Sequence, residues 1–230
     1  MNLNNSLRKL MKVRRKEYHP LIRQVHKKHN IAKRTLFYVK EYCSDRNVIS
    51  VILTESLKIL ILASILSSVA GFGLENLKQQ FITILPLLIL FPVLNGLGGN
   101  YGIIFSSKYS TMIHEGKIKH NPFKSKELRG LLIDLMVIGV FTALIASVFS
   151  LVFAGLKGFA TTPSITSKII LIAIIDILLV SLVLFLISVF VGNYVYKKRE
   201  DPNNFLIPIS TSAADFLNIL ILVGLIILFF

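Results

Sequence analysis

Five long apolar runs, Val48–Leu74, Phe81–Phe105, Leu131–Leu156, Ile169–Tyr196 and Asn203–Phe230, constrain most of what this chain can fold into. Each exceeds the ~20 residues that a helix needs to cross a hydrocarbon core about 30 Å thick. The chain is 53% hydrophobic and only 17% charged, which fits a multi-span membrane protein and no ordinary soluble domain. The expectation is an all-α integral membrane protein with five transmembrane helices in residues 49–230. A basic arm, residues 1–48, precedes them.

Charge orders these runs across the bilayer. The formal net charge of +14 would suggest nucleic acid in a soluble protein. Here the basic residues lie before and between the apolar runs, so anionic lipid headgroups are the expected partner and nucleic acid is not. The arm carries thirteen Lys and Arg against three acids, the 106–130 loop six and the 197–202 turn three. The 71–80 and 157–168 connections carry one and two. Lys and Arg favour the cytoplasmic side, which places the N-terminus inside and Phe230 outside. Within the arm, Leu7, Leu10 and Met11, then Leu21, Ile22 and Val25, recur at helical spacing on either side of a break near Pro20. They predict two short amphipathic helices on the membrane surface or beneath the membrane domain. His19, His26 and His29 fit a solvated basic face better than a metal site, since neighbouring lysines would repel a cation. The first 30 residues lack the apolar core of a signal peptide. Cys43 is the only cysteine, which excludes an intrachain disulfide and a cysteine-based zinc site.

Polar residues inside the apolar runs carry the functional signal. In the last run Asn204, Pro208, Thr211, Asp215 and Asn218 recur at steps of four, three, four and three, one narrow stripe of a helix. Asp201 and Pro202 suit a helix start, and Asp215 then lies roughly 18 Å deep, near mid-bilayer. An ionisable group there costs several kcal/mol and faces a cavity or protein interior rather than lipid. The stripe is therefore expected to line a cation path. In the second run Pro86 and Pro92 are expected to break the helix and free carbonyls. The segment Asn95-Gly96-Leu97-Gly98-Gly99-Asn100-Tyr101-Gly102 allows close helix approach or unwinding, with Asn95 and Asn100 as neutral oxygen donors. Asp176 lies within the fourth run without a basic partner, and could be a second cation site, a proton carrier or a packing contact. Glu55 and Lys58, one turn apart, read as a mutual pair, and Asp134 as a water-reachable residue near the cytoplasmic mouth.

Carboxylate, amide, hydroxyl and carbonyl oxygens make a site for a hard cation, and no His or Cys lies within the runs to hold copper or zinc. Calcium takes six to eight oxygens, whereas magnesium keeps several waters and needs one or two carboxylates. Two chains about a parallel two-fold axis would oppose two Asp215 carboxylates across one hydrated divalent ion. Nothing in the runs resembles catalytic machinery, so an enzyme is not expected.

Several motifs together resemble the MgtE-type divalent-cation transporters. They are Pro92-x-x-Asn95-Gly96-x-Gly98-Gly99-Asn100-x-Gly102, Ser107-Lys108-Tyr109-Ser110-Thr111-Met112-Ile113-His114-Glu115-Gly116, and Asp201-Pro202-Asn203-Asn204 with Pro208 and Asp215. The likeness covers about residues 49–230 and is closer to the short archaeal members and to the eukaryotic solute-carrier relatives built from two such halves. It implies a homodimer in the plasma membrane of a prokaryote, with Mg2+ as the transported ion. It also implies that Asp215 holds the hydrated ion, with the carbonyl of Thr211 one turn before it. Asn203 stands where relatives often have Asp, and Lys108 where Arg is common. The basic arm takes the place of the cytoplasmic N and CBS domains of the bacterial members. A second reading is Na+- or H+-coupled Mg2+ transport, with Asp176 as the coupling site.

Overall fold

A computed structural model describes residues 20–31, 48–75, 83–115, 117–118, 122–198 and 202–230, and among these it is helical, with no strand. Helix α1, Pro20–His29, ends in His26, Lys27, Lys28 and His29, cations where the helix dipole favours them. Asn30 follows with φ 52°, the left-handed residue that closes many helices. The expected helix before Pro20 and the side chains of Glu55 and Lys58 lie outside the described residues.

The long helices are α2, Val48–Glu75; α3, Leu85–His114; α4, Lys126–Leu156; α5, Pro163–Lys198; and α6, Pro202–Phe229. Local chemistry marks their starts. Ser125 caps α4, accepting from the Leu128 N–H at 3.4 Å, with Glu127 in the first turn, where a negative charge is favoured. Thr162 accepts from the Ile165 N–H at 3.3 Å at the head of α5. Pro202 opens α6, where a missing N–H costs nothing. Helices α3 to α6 are each long and apolar enough to cross a membrane. In α2 the described apolar stretch is Ile59–Val69.

Helices α3, α5 and α6 pack against one another, α4 closes the α3–α5 side, and α2 lies along α6. Lipid offers no hydrophobic drive for helices to associate, so contact depends on small residues and interhelical hydrogen bonds. A Cβ on Gly102 would stand 3.0 Å from that of Ser210, and one on Gly192 would stand 2.7 Å from the Tyr109 ring. Ser106 and Ser210 share a buried hydrogen bond at 2.7 Å. Between these contacts Leu90, Leu94, Ile172, Ile177 and Leu184 are fully buried, while Phe141, Phe190 and Leu156 stand outward on the perimeter, as a lipid-facing surface requires.

The second apolar run departs from expectation. Instead of breaking, α3 is continuous from Leu85 to His114, nine residues past the expected end at Phe105. Pro86 falls in its first turn, where no helical bond is lost, and its carbonyl accepts from the Ser150 hydroxyl of α4. Pro92 sits inside the helix without ending it, as does Pro208 in α6. Gly98 and Gly102 serve close approach rather than unwinding.

Candidate functional site

Asp215 is at the midpoint of α6, thirteen residues from Pro202 and fourteen from Phe229. Two neighbouring helices reach its half-buried carboxylate. Asn95 of α3 donates its Nδ2 hydrogen to Oδ1 at 2.8 Å, and Ser67 of α2 donates its hydroxyl to Oδ2 at 3.2 Å. Asn218, one turn beyond Asp215, is fully buried and donates Nδ2 to Oδ1 of Asn95 at 3.3 Å. Gly98, one turn beyond Asn95, makes room for that amide, since a Cβ there would be 2.5 Å from Asn218 Nδ2. The result is a directed chain in which Asn218 orients Asn95, and Asn95 and Ser67 orient Asp215.

Both donors to the carboxylate are neutral. Together they hold the side chain from both oxygens, and neither brings a positive charge to it. Among the described residues no three of His, Cys, Asp or Glu come together. This cluster therefore presents one carboxylate with amide and hydroxyl neighbours, a donor set suited to a hard cation that keeps much of its water.

The other sequence-selected residues divide. Thr211 is half-buried one turn before Asp215, and its hydroxyl donates to the carbonyls of Ile207 and Pro208, each at 3.1 Å. Its side chain is thus engaged within α6. Asn204, half-buried in the first turn of α6, lies eleven residues or ~16 Å along the axis from Asp215. Asn100 is exposed and points about 140° around α3 from Asn95. The structure joins Asp215 and Asn95, and leaves Asn100 and Asn204 outside that cluster. Asp134 is exposed on α4. Asp176 is fully buried in α5 between the buried Ala173, Ile177 and Val180, and neither carboxyl oxygen has a hydrogen-bond partner among the described residues.

A family model described as MgtE, divalent cation transporter, matches residues 91–225. The chain belongs to the MgtE family. It is thus a multi-pass membrane protein of a transporter family rather than an enzyme, and its cargo is a divalent cation, with Mg2+ in keeping with the donors around Asp215. No curated protein and no solved structure matches the chain. The MgtE match contains Asn95, Asp215 and Asn218, and Ser67 precedes it. Sequence reasoning placed Asn218 on the polar stripe without making it a site residue, and it passed over Ser67. For Asn218 the signal was its spacing. For Ser67 there was none, because Ser64, Ser67 and Ser68 are alike as letters.

Proposed function

We propose that this MgtE-family chain moves Mg2+ as a homodimer, through a pore on the two-fold axis where Asp215 of each protomer holds the hydrated ion. The observation that carries the reading is a mid-helix carboxylate fixed by two neutral donors, Asn95 and Ser67. A charge at that depth is tolerated when a cation or a water-filled cavity compensates it. In this reading α2 to α6 are five spans of a membrane domain, residues 49–230, with the N-terminus inside and Phe230 outside. The arm, residues 1–48, rests on anionic headgroups of a prokaryotic plasma membrane. Thr211, through its carbonyl, Asn204 and Asn95 contribute oxygens along the path, while Asn100 lies on another, exposed face of α3. Asp215→Ala and Asp215→Asn should abolish Mg2+ uptake in cells that depend on the transporter, with dimer assembly retained. Normal uptake by D215A removes the assignment.

Asp176 supports a second reading, coupled Mg2+ transport. A carboxyl fully buried without a hydrogen-bond partner among the described residues is costly unless it binds something. Mg2+ flux measured with and without an opposing Na+ or H+ gradient decides between the two. A gradient response present in the wild type and lost in D176N favours coupling, and flux indifferent to both gradients favours passive conduction.

A further inference from the structure

Ser67 reaches Asp215 from a helix held differently from the others. Helix α2 packs extensively on α6 alone, and Leu57, Ile61, Ile65 and Phe72 all face outward. Its neighbouring hydroxyls are used in two ways. Ser64 and Ser68 donate to carbonyls of their own helix, those of Leu60 and Ser64, each at 2.8 Å. Ser67 instead donates across the helix contact to Asp215 Oδ2 at 3.2 Å. With Asn95 on Oδ1, each carboxylate oxygen already accepts one hydrogen bond from the protein.

We infer that Ser67 is a specificity-determining residue, whose hydroxyl occupies Oδ2 so that Asp215 receives a divalent cation through the ion's water shell rather than by direct coordination. The inference rests on the reading above that Asp215 is the ion's ligand. A carboxylate oxygen accepts more than one hydrogen bond, so Oδ2 can still take an O–H from a water bound to the ion. Toward a bare metal the same oxygen is a weaker base while Ser67 holds it. Mg2+ dehydrates reluctantly and keeps several waters, so it loses little by this arrangement. Ca2+ takes six to eight oxygens in flexible geometry, gains by direct carboxylate contact, and is disfavoured when that contact is obstructed. One hydroxyl from α2 thereby separates cations of equal charge by their willingness to shed water.

The test uses the full chain in proteoliposomes, with uptake of Mg2+ and of Ca2+ measured for wild type, S67A, S67C, S67T and D215A. Cobalt(III) hexaammine, whose ligands do not exchange, serves as a competitor confined to outer-shell binding. S67A should lower the Mg2+-to-Ca2+ ratio of kcat/KM about tenfold or more, the scale of one hydrogen bond to a charged group, and weaken the hexaammine block relative to Ca2+ competition. S67T keeps the hydroxyl and should keep the wild-type ratio. S67C, similar in size with only a weak S–H donor, should fall between, which separates donor strength from packing. A ratio in S67A and S67C within twofold of wild type, with D215A inactive, overturns the inference. Normal uptake by D215A overturns instead the ligand assignment beneath it.

Discussion

A Cβ on Gly98 would stand 2.5 Å from Nδ2 of Asn218 and 3.2 Å from Cγ1 of Val180. The amide has to turn to admit even a methyl group, and turning it takes Nδ2 off Asn95. Asn95 is then free to leave Asp215. G98A should therefore raise the KM for Mg2+ uptake about fivefold, matching a neutral hydrogen bond of ~1 kcal/mol, with the protein still folded. A methyl group on Gly99 would meet nothing within 4 Å, so G99A is the control and should leave uptake unchanged. A concentration series in proteoliposomes decides.

The order of the polar chain has its own consequence. Removing Asn95 deprives Asp215 of its shorter donor, and N95A should reduce kcat/KM for Mg2+ by roughly 10- to 100-fold, the range for a hydrogen bond to a charged group. N218A should cost less, because Asn218 acts through Asn95. The double variant should then be no worse than N95A alone. Additive losses would mean that Asn218 reaches the ion by another route.

At another point of the same three-helix core, a Cβ on Gly192 would lie 2.7 Å from two ring atoms of Tyr109 and 3.1 Å from Leu206 Cδ1. An aromatic ring cannot flex aside as an amide can. G192A should destabilise the protein by about 1–3 kcal/mol through overpacking, read from thermal unfolding in detergent. The same substitution in a Y109L background should cost much less.

Tyr109 offers a control of opposite sign. Its hydroxyl is buried with no partner among the described residues, so Y109F removes an unsatisfied group without removing a bond. Its melting temperature should equal or exceed that of the wild type. A clear fall would reveal a partner for that hydroxyl.

Asp176 is expected to behave likewise, because neither oxygen has a partner among the described residues. D176L should stabilise the folded protein by about 1–3 kcal/mol, the cost of burying an uncompensated polar group, measured again by thermal unfolding. A loss of stability would point to a bound ion or water that the leucine cannot replace.

The sequence by itself determined the long helices and put Asp215 inside one of them. Runs such as Leu131–Leu156 and Ile169–Tyr196 are long enough to cross a bilayer, and a helix closes its own backbone hydrogen bonds, so length and hydrophobicity suffice. The mid-helix place of Asp215 followed from its position in such a run. Prolines were less legible: Pro86 starts α3 and Pro92 is carried within it, because the effect of a proline depends on its place in the helix. Only the tertiary structure decided what touches the carboxylate. Ser67 is 148 residues from Asp215 and Asn95 is 120 away, and no local periodicity encodes which face of α2 or α3 turns toward α6. That choice is made by interhelical packing, where Gly98 leaves the space Asn218 fills and Asn218 in turn holds Asn95 against Asp215.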